Sequence, residues 1–186
     1  MTRKVLRTIP NQVTLLRLVL LPVLWLLAVL QQKTAFAIVL AVVGLTDFLD
    51  GYLARRLKQT STFGSRFDSL ADDLIGISLP VWFWLLLPEF LAEFHVVIAT
   101  LVILLLTDIA LALAKFGNIP MYHLYSSKAA AVFLYVFFVH ALVFGPDEYL
   151  FYATAVAIGI SLFEEIGVTL VAKKMDEKRK SLFEDV

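Results

Sequence analysis

Four aspartates, Asp47, Asp50, Asp68 and Asp72, fall in the stretch 47–72, together with Gly51, Ala54, Arg55 and Gly64. On a helix, Asp47, Asp50 and Ala54 sit at i, i+3 and i+7, and so share one face. Asp68 and Asp72 sit at i and i+4, again on one face. Carboxylates gathered this closely repel one another, and divalent cations resolve the conflict. An oxygen-only donor set suits Mg²⁺, Mn²⁺ or Ca²⁺ rather than zinc. Gly51 and Ala54 present almost no side chain one turn from the carboxylates, which lets a flat or bulky ligand approach the backbone. Gly64 does the same at the start of the following helix, whose free N–H groups favour an anion. Arg55 is a natural phosphate partner. Together these groups make a site for a nucleotide diphosphate. Two metals bridging it would polarise phosphorus and stabilise the leaving group, and a remaining carboxylate could act as general base on an attacking hydroxyl.

The elements that must position these groups are membrane helices. The chain has 186 residues, 60% of them hydrophobic, well above the roughly 45–50% of a soluble domain. Six apolar spans are expected, at about 11–30, 34–57, 63–87, 92–114, 124–144 and 149–172. The first follows a basic start (Arg3, Lys4, Arg7), and no small-residue cleavage site follows it. It therefore reads as a retained span rather than a signal peptide. Pro88-Glu89 and Gly145-Pro146-Asp147-Glu148 read as turns. Residues 1–10 form a basic segment, 11–172 a six-helix bundle, and 173–186 a charged tail that continues the last helix.

An even number of spans puts both termini on one side. Arg3, Lys4, Arg7, Arg55, Arg56, Lys58, Lys115 and the lysines of the tail fall on that side, with Lys33 opposite. The positive-inside rule makes it the cytoplasm, so the aspartate stretch faces the cytoplasm as well. The expectation is an all-α polytopic protein of the cell membrane, one domain over 1–186. No internal repeat or soluble domain is apparent. Cysteine is absent, which excludes a disulfide framework, a thiolate metal site and a thiol nucleophile. Net charge is zero, and no nucleic-acid partner is expected.

The pattern Asp47-x2-Asp50-Gly51-x2-Ala54-Arg55-x8-Gly64-x3-Asp68-x3-Asp72 resembles the signature of the CDP-alcohol phosphotransferase family. The opening Ile9-Pro10-Asn11-x2-Thr14-x2-Arg17 is similar to that family's first helix. The resemblance implies that Asp47, Asp50 and Asp68 are metal ligands, and that Asp72 is both a ligand and the general base. It implies two Mg²⁺ or Mn²⁺ ions, and a CDP site lined by Asp50, Gly51, Ala54, Arg55, Gly64 and Asp68. It further implies attack of an acceptor hydroxyl on the lipid-side phosphorus of CDP-diacylglycerol, loss of CMP, and a homodimer in the membrane.

The acceptor is a small polar alcohol, with glycerol 3-phosphate the first choice and serine, inositol phosphate or phosphatidylglycerol the alternatives. Thr14, Arg17, Arg66, Lys115 and Lys128 are the candidates for holding an acceptor or lipid phosphate. Glycerol-phosphate members of the family typically carry a lysine after the last aspartate and an Arg-Glu pair in the fourth helix. This chain has Asp73 and Thr107-Asp108 there. Two rival classes are an intramembrane prenyltransferase, which would be longer and lack the Gly51–Gly64 element, and a cation carrier, which would spread its acids through several spans. Glu164 and Glu165 lie deep enough in the last span that at least one is expected to face the interior or a partner, for helix pairing or for catalysis. Trp82 and Trp84 are expected to be interfacial anchors, and His95, His123 and His140 interfacial or packing residues.

Overall fold

The computed structural model describes residues 9–57, 62–118, 122, 124–172, 174 and 179–182. The side chains of residues 9–11, 13, 47–57 and 62–69 lie outside the described residues. Seven helices and no strand occur among the described residues: α1 Ile9–Val29, α2 Lys33–Leu57, α3 Thr62–Leu86, α4 Pro88–Glu93, α5 His95–Phe116, α6 Tyr125–Phe144 and α7 Glu148–Val171. The expected all-α class is observed. The helices α5, α6 and α7 are long and apolar enough to cross a membrane, with mean hydropathies of 2.7, 1.9 and 1.7. Shorter apolar stretches cover Thr14–Val29 in α1 and Lys33–Thr46 in α2. The chain divides into two compact units, 1–89 and 90–186, each built around its own core.

In the first unit, α1 packs against both α2 and α3. Its buried residues Thr14, Arg17, Leu24 and Ala28 recur at helical spacing and form one stripe. Trp82 of α3 is the largest fully buried side chain. Its ring meets Trp25 edge-on at 5.9 Å and Phe36 at 5.2 Å, geometries that suit the positive edge and negative face of aromatic rings. Trp82 is thus a core residue rather than the interfacial anchor the sequence suggested, while Trp84 is 65% exposed. The indole N–H of Trp25 donates to Ser78 Oγ at 3.1 Å, and that hydroxyl donates to the Leu74 carbonyl.

A tight turn joins α1 to α2. Gln32 N–H donates to the Leu27 carbonyl and Gln31 N–H to that of Ala28, the paired bonds of a Schellman ending. Gln31 occupies the left-handed position with φ 58°, where glycine is the usual residue. Its side-chain amide donates to the Leu85 carbonyl at 2.9 Å, and so ties this turn to the last turn of α3.

In the second unit, α7 packs against α5 and α6. Phe90, Phe94, Phe137, Phe151 and Tyr152 form an aromatic cluster with centroid separations from 4.7 to 5.9 Å. Pro88-Glu89, expected as a turn, opens the short helix α4. Gly117 ends α5 in the left-handed conformation, φ 72°, and its N–H returns to the Leu113 carbonyl. Asp147 caps α7 by accepting from Leu150 N–H at 2.8 Å, so the turn before the last span carries its own start signal.

The tail departs from expectation. Helix α7 stops at Val171, with Ala172 extended at ψ 135°. Residues 179–182 return to the unit: Tyr125 N–H donates to the Lys180 carbonyl at 3.0 Å and Leu182 N–H to Glu164 at 2.9 Å. Leu182 packs on Tyr122, Leu124 and Val168. Burial of this apolar side chain outweighs continuing a polar helix into water.

Candidate functional site

The aspartate signature lies on α2 and α3, both within the first unit. In α2 the buried residues Phe36, Leu40 and Val43 advance in steps of four and three. Continued along the helical backbone, that register reaches Asp47, Asp50 and Ala54. The packing stripe and the signature therefore occupy one face of one continuous helix. The side chains of Asp47, Asp50, Gly51, Ala54, Arg55, Gly64, Arg66 and Asp68 lie outside the described residues; only their placement on α2 and α3 is on view.

Asp72 is described, and it is held. Arg17 Nη1 of α1 donates to Asp72 Oδ1 at 2.9 Å. The two members differ in exposure: the Arg17 side chain is 1% accessible and that of Asp72 55%. A guanidinium withdrawn from solvent is costly unless a carboxylate accompanies it. The exposed carboxylate is correspondingly fixed in position by a rigid, planar donor. Thr14, one turn before Arg17, is buried on the same stripe. Both residues had been candidates for a phosphate contact; the structure places Arg17 against the final aspartate of the signature instead of leaving it at an open surface. This pairing joins residues 55 positions apart, and no local pattern in the sequence discloses it.

The donor set suits a hard divalent cation. The signature offers carboxylates with no sulfur and no imidazole among its eight positions, the composition favoured by Mg²⁺ or Mn²⁺. Among the described residues no three acidic, histidine or cysteine side chains cluster, and three of the four aspartates fall outside that set.

The second unit carries the remaining candidates. Lys115, near the end of α5, donates to the carbonyls of Thr169 at 3.0 Å and Leu170 at 2.7 Å. It thereby satisfies acceptors in the last turn of α7 that the helix leaves open. Lys128 is exposed near the start of α6. Glu164 accepts from Ser126 Oγ at 2.5 Å and Glu165 from Ser127 Oγ at 2.6 Å, so two adjacent acids stitch α7 to the first turn of α6. Ser161 adds a third hydroxyl, 3.2 Å from Glu165 and 3.0 Å from Ser127. Asp108 of α5 is fully buried. A lone carboxylate in an apolar span is the signal that could have drawn attention to it sooner.

The family model for CDP-alcohol phosphatidyltransferase matches residues 7–170, a range that includes α1 to α3 and nearly all of α7. The chain belongs to the CDP-alcohol phosphatidyltransferase family. Its relatives include a CDP-diacylglycerol–glycerol-3-phosphate 3-phosphatidyltransferase of Pseudomonas fluorescens, 44% identical over 70 residues, 36% of each chain. One of the same name from Rickettsia typhi is 34% identical over 73 residues, 38% of this chain and 41% of the relative. A probable cardiolipin synthase (CMP-forming) of Drosophila melanogaster is 42% identical over 80 residues, 42% of this chain and 25% of the relative. The chain thus aligns with about two fifths or less of the length of these relatives. No solved structure matches. As a CDP-alcohol phosphatidyltransferase family member with three helices long and apolar enough to cross a membrane, it is a membrane protein.

Proposed function

We propose that this protein transfers a phosphatidyl group from CDP-diacylglycerol to the hydroxyl of glycerol 3-phosphate and releases CMP. The observation that carries the reading is the eight-position signature on two helices packed against α1, with its last aspartate gripped by Arg17. Two relatives named for the glycerol-phosphate reaction support this choice of acceptor.

In this reading Asp47, Asp50, Asp68 and Asp72 hold two Mg²⁺ or Mn²⁺ ions. When bound, the ions supply charge neutralisation at the diphosphate. Gly51, Ala54 and Gly64 leave room for the cytidine nucleotide, and Arg55 faces its phosphates. Asp72 takes the proton of the acceptor hydroxyl. The new oxygen–phosphorus bond forms as the bond to the CMP oxygen breaks, and CMP departs with the negative charge. Arg17 keeps Asp72 in place while it does so. Thr14, Arg17, Arg66, Lys115 and Lys128 remain candidates for the acceptor or lipid phosphate. Six spans, both termini in the cytoplasm, a cytoplasmic site and a homodimer complete the proposal. A second reading takes phosphatidylglycerol as acceptor, and the likeness to a cardiolipin synthase favours it specifically.

The test offers glycerol 3-phosphate, phosphatidylglycerol, serine, inositol and inositol 1-phosphate singly to purified protein with CDP-diacylglycerol and Mg²⁺. Product lipids are identified by mass. Phosphatidylglycerophosphate is the expected product. Cardiolipin would instead establish the second reading, and no new lipid with any acceptor would remove both.

A further inference from the structure

The second unit contains a group of oxygen side chains that the proposed transfer does not use. Asp108 of α5 has no accessible surface, and neither of its carboxylate oxygens accepts a hydrogen bond. The Glu165 carboxyl and the Thr169 hydroxyl of α7 lie against it, short of hydrogen-bond geometry. The Thr169 hydroxyl is itself engaged with Tyr122 Oη at 3.2 Å. Glu165 Oε1 gathers Ser127 Oγ of α6 at 2.6 Å and Ser161 Oγ at 3.2 Å. Two carboxylates and three hydroxyls thus converge from three helices.

No cation among the described residues answers them. Among the described residues no lysine, arginine or histidine pairs with Asp108 or Glu165. Lys115, one heptad beyond Asp108 on α5, donates to the Thr169 and Leu170 carbonyls. The half-buried Glu165 carboxylate repels the fully buried Asp108 carboxylate beside it, and an isolated carboxylate out of water carries a large desolvation cost. A native site that leaves both oxygens of Asp108 without a donor calls for a further partner. The available ligands are all hard oxygens, with no sulfur or imidazole among them.

We propose that Asp108 and Glu165, with the Ser127, Ser161 and Thr169 hydroxyls, bind one hard cation between α5, α6 and α7. Sodium, calcium and magnesium share this chemistry. Asp108 lies eight residues before Phe116, and Glu165 six before Val171, or about 12 and 9 Å of helix at roughly 1.5 Å per residue. Ser127 belongs to the first turn of α6. The bound ion would clamp α7 to both neighbours, so its first effect is on the stability of this unit.

The experiment uses the full chain in lipid nanodiscs, with N-methylglucamine chloride holding ionic strength constant. Thermal unfolding is followed as NaCl, CaCl2 or MgCl2 is added, and bound metal is counted after desalting or by titration calorimetry. Asp72→Asn, which weakens the signature, forms the background in which the second site is read. One cation is expected to raise the midpoint by about 5 °C or more at saturation, with one equivalent bound in that background. Asp108→Asn is expected to abolish both effects, and Ser161→Ala to weaken the binding about tenfold while the protein stays folded. Equal midpoints in all salts would overturn the proposal. So would cation stabilisation that survives Asp108→Asn, or a midpoint that follows pH alone and is flattened by Asp108→Asn, because a proton would then occupy the place assigned to the ion.

Discussion

Replacing Arg17 and Asp72 singly and together measures whether their contact organises the site. The pair is asymmetric: 1% accessibility for the Arg17 side chain against 55% for Asp72. Arg17→Gln removes a buried charge together with the charge-assisted hydrogen bond to Asp72. The bond is worth about 1.5–3 kcal/mol, but losing the burden of a desolvated guanidinium offsets much of that. The net cost should be near 1 kcal/mol. Asp72→Asn instead removes the carboxylate charge from beside the buried guanidinium. Removing one partner of a fully buried pair costs about 3–5 kcal/mol, and the exposure of Asp72 reduces this to roughly 2 kcal/mol. The double variant should recover part of the Asp72→Asn loss, giving a coupling of about 1–2 kcal/mol. In a chain of 186 residues each kcal/mol moves the midpoint by about 2–4 °C. Thermal unfolding of the four proteins in one detergent, checked against denaturant midpoints, gives the cycle. CMP release should fall about a hundredfold in Arg17→Gln, through misplacement of the base. Strict additivity, or full activity in Arg17→Gln, would refute the reasoning that the guanidinium positions Asp72.

Trp82→Ala should destabilise the first unit by about 3–5 kcal/mol, because it empties a fully buried site between Trp25 and Phe36; Trp84→Ala, at an exposed position, should cost under about 1 kcal/mol in the same unfolding assay. Lys115→Met should lose roughly 1 kcal/mol by freeing two α7 carbonyls, and a selective rise in KM for the acceptor would add a binding role to that capping one. Leu182→Ala should expose the segment 179–182 to limited proteolysis, since its side chain packs on Tyr122, Leu124 and Val168. Chelation of divalent metal should abolish turnover, and Mg²⁺ or Mn²⁺ should restore it.

The helices and the signature were legible because they rest on local regularities. Apolar runs broken by Gly117 and by Gly145-Pro146 delimit α5 to α7 within a few residues, and the 3-4 spacing from Phe36 to Ala54 shows one face of α2. What escaped depends on distant partners. Trp82 looks like an interfacial anchor until Trp25 and Phe36 arrive from two other helices. The contact of Arg17 with Asp72 joins residues 55 positions apart. The tail reads as more helix because its charge pattern is local, whereas the contacts of Leu182 with Tyr122 and Val168 are not. At least one of Glu164 and Glu165 was recognisable as facing the interior or a partner, but the serines that meet them are too small to register in a hydropathy pattern.

The central claim is that the aspartate signature releases CMP from CDP-diacylglycerol by transfer to an acceptor alcohol. Its most direct measurement is the amount of CMP formed per lipid product, in wild type and Asp72→Asn, with and without Mg²⁺. The account predicts one CMP per new phospholipid, dependent on both acceptor and metal, and a loss of at least about a thousandfold in Asp72→Asn. CMP release that persists in the variant, or that needs neither acceptor nor metal, would contradict it.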